Sequence, residues 1–166
     1  MPEDRHDQGL ILDFSIAANV SLPVLGRLSG LLGVIDRGRE RALASDYSEK
    51  LQVRSTGVDQ PAAGLSGGNQ QKVVIAKWLA TQPAVLILDE PTRGIDIGAK
   101  AEVHRIISRL AADGMAILLI SSELPEVLGM ADRVIVLHEG RVAARLDMAE
   151  VTQERIMTAA TGRRGA

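Results

Sequence analysis

The segment AVLILDEP, Ala84 to Pro91, ends a run of apolar residues in two adjacent carboxylates. Burying two unpaired carboxylates is prohibitively costly, so a strand of this kind delivers its acids to a sheet edge. In a parallel α/β sheet, ligands bind beyond the carboxyl ends of the strands, which sets Asp89 and Glu90 in a crevice lined by loops. There Asp89 suits Mg²⁺ held through water, and Glu90 suits an attacking water that must be oriented or deprotonated. The bare pattern is also met by a strand capped with solvated acids before a proline turn.

Upstream, LSGGNQQK sets Ser66 at the N-cap position of a helix expected from about Gly67 to Thr81, with Pro83 ending it. Two glycines let the backbone approach a ligand closely, and a helix N-terminus beside a serine hydroxyl offers N–H donors and a positive dipole end to phosphate oxygens. An ordinary capped helix explains SGG alone, but DEPTRGID downstream favours the phosphate reading. A full phosphate cradle needs G-x-x-x-x-G-K-[ST]. Lys50, Lys72, Lys77 and Lys100 follow Glu49, Gln71, Ala76 and Ala99, so this sequence contains no such motif.

The elements that must position these groups follow βαβ grammar: AVLIL and MAILLI read as buried strands joined by the helix GAKAEVHRIISRLAADG. Val103, Ile106, Ile107 and Leu110 form its apolar face, and Gly114 stands as its C-cap. ELPEVLGMA reads as a short helix, RVIVLHEGRVAARL as a hairpin turning at Glu139-Gly140, and the stretch from Thr152 to Ala160 as a helix. An amphipathic helix is expected from Asp36 to Arg54, with Leu43, Tyr47 and Leu51 on one face. The segment before it, broken by Pro23, Gly26, Gly30 and Gly33, reads as short helices and turns.

Composition narrows the partners. A net charge of −2, a pI near 5.9 and only Phe14, Tyr47 and Trp78 as aromatics argue against a nucleic-acid partner. Without cysteine there are no disulfides or thiolate metal sites. Apolar runs fall far short of the roughly 20 residues that span a bilayer, and MPEDRHDQG is not a secretory signal. His6, His104 and His138 lack ligand-spaced partners and are expected at the surface.

The phrases LSGGNQQKVVIAKWL and VLILDEPTRGIDIGAK resemble the signature helix, Walker B strand and D-loop of the ATP-binding cassette (ABC) ATPases. The Asn69 form LSGGNQQK, with DEPTRGIDIGAK and ISSELPEVLGMADRVIVLHEGR, is most similar to the second cassette of fused ATPase subunits serving bacterial simple-sugar importers of the ribose, xylose and galactose type. PEDRHDQGL and IDRGRERALA are similar to that family too, so the likeness runs through nearly the whole chain. It implies an α/β fold, an incomplete P-loop NTPase domain of mostly parallel sheet with a helical signature subdomain and a C-terminal β-hairpin. The implied parts are 1–8 at a Q-loop edge and 9–82 as the helical subdomain. Residues 83–146 follow as the core with Walker B, D-loop and switch region, and 147–166 as a C-terminal helix and tail.

Residue by residue, the resemblance makes Asp89 the Walker B aspartate at Mg²⁺, Glu90 the catalytic carboxylate and Asp96 the D-loop aspartate. Leu65, Ser66, Gly67, Gly68 and Asn69, with Gln70 beside them, become the signature loop, which in such enzymes contacts ATP held by the opposite cassette of a head-to-tail pair. Two positions depart from the superfamily pattern. The switch position after MAILLI is Ser122 in place of histidine, as is usual in the sugar-importer branch; serine hydrogen-bonds phosphate but carries no imidazole charge. Where a Q-loop glutamine would follow the proline, Glu3 follows Pro2, and its carboxylate suits magnesium.

In the resembled family the P-loop precedes the stretch this chain covers. The expectation is therefore the C-terminal part of a second cassette, hydrolysis-incompetent alone, poorly soluble, with strands exposed as edges and 9–36 facing the transport channel. The parent would couple hydrolysis of ATP to sugar import from the inner face of the cell membrane. Its partners would be permease subunits, another cassette and, indirectly, a periplasmic sugar-binding protein. A non-catalytic interaction protein, or a relic offering its signature loop to another cassette, is the alternative.

Overall fold

The computed structural model describes residues 1–2, 4–30 and 33–162. Glu3, expected at magnesium, lies outside the described residues. Two compact units are present, Met1–Ile120 and Ser121–Ala166.

The first unit is built around one helix. From Val73 to Ala76 the signature helix α4 (Gly67–Leu79) is buried on every side, as a helix must be when it is apolar all round. Against it pack α1 (Ile16–Ser21), α3 (Arg37–Lys50) and α5 (Ile97–Ala112). Lys77, buried near its C-terminal end, donates to the Gly9 carbonyl at 2.9 Å, and burial pushes its pKa below the ordinary lysine value. A short helix, α2 (Leu25–Leu28), follows α1.

Within α1, Asn19 is fully buried and uses both ends of its amide to hold the turn ahead of the helix. Oδ1 accepts from the Ile11 N–H at 2.8 Å, while Nδ2 donates to the carbonyls of Ile11, Phe14 and Ser15 at 2.9, 3.2 and 3.0 Å. The turn held in this way lines up with the loop before the signature. The N–H groups of Ala62 and Ala63 donate to Phe14 and Leu12 there, and those of Ile16 and Ala17 donate to Gln60 and Val58. The start of α4 is thus fixed from its N-terminal side.

Helix α3 is capped by Asp36, which accepts from the Gly38 and Arg39 N–H groups. Its buried face differs from the expected one. Leu51 is buried, but Leu43 and Tyr47 are only half-buried, and Glu40 and Ala44 take the deepest positions. Glu40 is stable there because the Ser21 hydroxyl donates to it at 2.8 Å and Arg37 at 2.7 Å. Burial pushes its pKa up, and these hydrogen bonds outweigh that and hold it below the usual carboxylate value. The helix stops at Lys50, short of Arg54, because Gln52 takes a left-handed φ of 54°.

Strands β1 (Val85–Asp89) and β2 (Ala116–Ile120) pair in parallel through the α5 crossover, from Val85 opposite Ala116 to Asp89 opposite Ile120. Gly114, at φ 94°, closes α5 as expected. On the other edge of β1, Met1 continues the parallel pattern: its amino group donates to the Ile87 carbonyl and its carbonyl accepts from the Asp89 N–H. Leu86 and Leu88 are buried on one face, while Val85, Ile87, Leu118 and Ile120 are exposed on the other. Parallel pairing among the described strands is limited to β1 and β2, so the mostly parallel sheet expected is here a single parallel pair.

In the second unit, α6 (Leu124–Met130) precedes the hairpin β3 (Arg133–His138) and β4 (Arg141–Asp147), followed by α7 (Gln153–Ala160). The two-residue turn has Glu139 and Gly140 both at positive φ, the hand that suits a tight hairpin. Val134, Val136, Leu146 and Ile156 form the core of this unit. His138 is not the simple surface residue expected. It is half-buried, and its Nδ1 lies 2.7 Å from the Ala160 carbonyl, tying the hairpin to α7. Among the described residues no helix is long and apolar enough to cross a membrane.

The Asn19 clasp yields a stability test. Asn19→Ala strands a buried N–H and several carbonyls, and is expected to cost about 2–4 kcal/mol. Asn19→Asp should cost more, because a carboxylate would face three carbonyls; urea unfolding midpoints of the three proteins check the order.

Candidate functional site

The carboxylate pair stands where β1 runs out. Asp89 is the last residue of the strand and is half-buried. Burial holds the nearby Met1 amino group below its usual pKa, and the Asp89 charge partly offsets this. Glu90 follows with its N–H bonded to the Ile120 carbonyl of β2 at 2.9 Å and its carbonyl accepting from the Arg93 N–H at 3.1 Å. Its φ is 44°, a left-handed conformation that a glutamate reaches only under strain and that the following proline disfavours further. Pro91 and Thr92 are fully buried and anchor the turn. Strain of this kind is maintained where the surroundings over-determine the backbone, and here it falls on the acid expected to act on water.

The turn leads to α5, where Asp96 is the N-cap and accepts from the Ala99 N–H at 2.9 Å. Its carboxylate is exposed. Asp96 therefore fixes the helix start while facing outward.

Ser66 occupies the N-cap position of α4 with extended backbone, but its side chain makes no capping bond. Its Oγ instead accepts from Asn69 Nδ2 at 2.9 Å, while Asn69 Oδ1 accepts from the Arg54 N–H at 2.9 Å. The amide orientation is thus set from both ends, and the Ser66 hydroxyl proton and the first N–H groups of α4 stay available to an anion. Ser66 is exposed, Leu65 is buried as the loop's anchor, and Gly67 is half-buried. Gly68 is buried because a Cβ there would come within 2.5 Å of the Ala99 Cβ, so only glycine lets α4 and α5 approach this closely.

Gln70, expected among the ligand contacts, is turned inward. It is buried, with Nε2 donating to the Ala62 carbonyl at 3.1 Å and Oε1 accepting from Arg5 Nε at 3.4 Å. Protein groups meet both ends of the amide, which ties the loop to Arg5 and Ala62.

Sequence reasoning missed the groups behind the motifs. Buried Lys72 on α4 pairs with Glu102 on α5 at 2.7 Å and donates to the Gln52 carbonyl at 2.9 Å. Arg54 joins the same Glu102 at 3.1 Å. The Lys72 hydrogen bond, with the charges of Lys72 and Arg54, holds Glu102 below the usual carboxylate range. A network runs from Ser66 through Asn69 and Arg54 to Glu102 and Lys72. Its members look like solvated helix charges in sequence, and only the packing of α4 on α5 brings them together. A cavity of about 600 Å³ nearby is lined in part by Lys72 and Glu102 of this network, with Tyr47, Leu79, Ile106 and Met115, and does not include Ser66, Asp89, Glu90 or Asp96.

Ser122 is exposed in the second unit, just ahead of α6, where the Glu123 N–H donates to Ser121 Oγ at 3.0 Å. Among the described residues no group of three or more His, Cys, Asp or Glu side chains could hold a metal ion. Mg²⁺ takes one or two carboxylates and completes its shell with water and substrate phosphates. Asp89, an oxygen donor at a strand end, fits such a role.

The family model for ABC transporter matches residues 7–93. The chain is 59% identical over its full length to ribose import ATP-binding protein RbsA 1 of Streptomyces coelicolor, covering 33% of that protein. It is 58% identical to ribose import ATP-binding protein RbsA of Rhodococcus jostii over 98% of this chain and 32% of that one. The chain thus spans about a third of the length of the curated relatives it matches. Among solved structures, a dimeric ATP-binding cassette in a post-hydrolysis state bound to ADP and Pi superposes with a TM-score of 0.71 at 24% identity. The match covers 85% of this chain and 60% of that one. That likeness establishes the α/β cassette fold.

The network predicts a pH signature. Because the folded pKa of Glu102 is depressed, its contribution is present above the unfolded carboxylate pKa and is lost as pH falls through the folded value. Glu102→Gln should cost about 1–3 kcal/mol near neutral pH and flatten the decline in stability on acidification, read from urea unfolding at a series of pH values.

Proposed function

Because the chain belongs to the ABC transporter family, we propose that it contributes the signature and Walker B parts of an ATP-binding subunit that couples ATP hydrolysis to import of a simple sugar. The observation that carries this reading is a pairing within one unit. An uncapped α4 start has its Ser66 hydroxyl directed by Asn69, and a strained Glu90 stands at the end of β1. The names of the relatives, ribose import ATP-binding proteins, support the sugar class.

In this reading Ser66 and the Gly67 and Gly68 N–H groups donate to the phosphates of ATP carried by a second, P-loop-bearing cassette, and Asp96 faces the same partner. Asp89 would hold Mg²⁺, which would neutralise phosphate charge when bound. Glu90 orients the attacking water and takes its proton as the water oxygen bonds to the γ-phosphorus and the bond to the bridging oxygen breaks, with that oxygen leaving on ADP. Ser122 hydrogen-bonds phosphate at the switch position without supplying charge. Residues 9–82 act as the helical subdomain and 83–146 as the catalytic core. The assembly is peripheral on the inner face of the cell membrane, bound to permease subunits that receive sugar from a periplasmic binding protein.

A second reading rests on the lack of a G-K-[ST] sequence in this chain: an interaction module that offers its signature loop to another cassette without turnover. One experiment separates the two. Glu90→Gln, assayed in an assembly of this chain with a P-loop-bearing cassette, should lower ATP turnover about 10²–10⁴-fold while leaving ATP bound. Undiminished turnover removes Glu90 from the chemistry, and binding without turnover by the unaltered assembly favours the second reading.

A further inference from the structure

The side chain of Arg5 joins three separate phrases of the sequence. Nη1 donates to the Arg93 carbonyl at 3.1 Å and Nη2 to the Gly94 carbonyl at 3.1 Å, both in the turn after Glu90. Nε points to Gln70 Oε1 at 3.4 Å, and that amide is held in the receptive orientation by its own bond to Ala62. PEDR, LSGGNQ and DEPTRG thus meet at one guanidinium.

The surrounding glycines make room for it. A Cβ at Gly67 would lie 3.2 Å from Arg5 Nη2, and one at Gly94 would lie 3.3 Å from Nη1. Gly94 also has φ 69°, so a side chain there would be strained whatever the space. Two of the glycines that mark these motifs are therefore explained by the arginine as well as by a ligand's approach. Adjacent carbonyls need a planar fork of donors, which a guanidinium has and an ammonium lacks. The guanidinium keeps its charge at any working pH, so the clasp does not titrate.

We propose that Arg5 is a positioning residue that fixes the turn carrying Glu90 and Asp96 against the start of the signature helix. The role of this clasp in turnover rests on the function proposed above; the clasp itself does not. It makes the signature loop and the D-loop one rigid surface toward the partner cassette. It also ties that surface to the wide turn Arg5–Gly9, so a displacement of that turn passes directly to the loop beside Glu90.

The test takes Arg5→Ala and Arg5→Lys in the full chain and follows amide hydrogen exchange by residue. In both variants the N–H groups of Arg93 and Gln70 should exchange at least about tenfold faster, while amides of α3 and the β1–β2 ladder keep their rates. Unchanged exchange at Arg93 and Gln70 overturns the clasp, and so does a uniform rise through the unit, which reports unfolding. In the assembly with a P-loop-bearing cassette, both variants should lower kcat about tenfold with KM for ATP within about twofold, the split expected of misaligned chemistry. Lysine that restores kcat overturns the positioning role. An unaltered assembly with no turnover counts against the proposed function, and the exchange rates then decide the clasp alone.

Discussion

Helix α4 lies so close to α5 that a methyl group at Gly68 would collide with Ala99. The rest of the first unit is arranged around that approach. It brings Lys72 into reach of Glu102 across the contact, where a buried ammonium requires a partner. It sets the uncapped start of α4 beside the turn that leaves β1, so that Ser66, Asp96 and Glu90 are presented by elements sharing one packed interface. Were α4 to sit a side chain's width further away, the ion pair and the clasp of Arg5 on Arg93, Gly94 and Gln70 would both open.

The two motifs behave differently within this frame. Each acid of DEP is held by the backbone: Asp89 by its place in the parallel ladder, and Glu90 by a bond to β2 and a strained turn on buried Pro91 and Thr92. The signature serine is held by side chains, through Asn69 and Arg54.

The spans of the strands, the α5 helix with its Val103 and Ile107 face and the hairpin turn were legible in the sequence because each follows a local rule of period, cap or turn, but the burial expected of β2 is absent, with Leu118 and Ile120 exposed. What the sequence hid was long-range. Glu40 in place of Leu43 at the buried centre of α3 depends on Ser21 and Arg37 reaching it, and nothing in an i, i+4 pattern shows that. Gln70 reads as one more polar residue of the signature until Arg5 and Ala62 are seen at its two ends. Arg5, Arg54 and Glu102 carry no local signal for the same reason: their side-chain partners lie 30 to 89 residues away.

The central claim is that this chain contributes one face of an ATP site whose phosphate cradle belongs to another cassette. Calorimetric titration of ATP with Mg²⁺ into the chain alone, and into the chain mixed with a P-loop-bearing cassette, tests it most directly. The account predicts no saturable binding to the chain alone, and binding in the mixture that is tighter than to the partner cassette alone and weakened by Ser66→Ala. Stoichiometric, saturable binding of ATP to the chain by itself would contradict it.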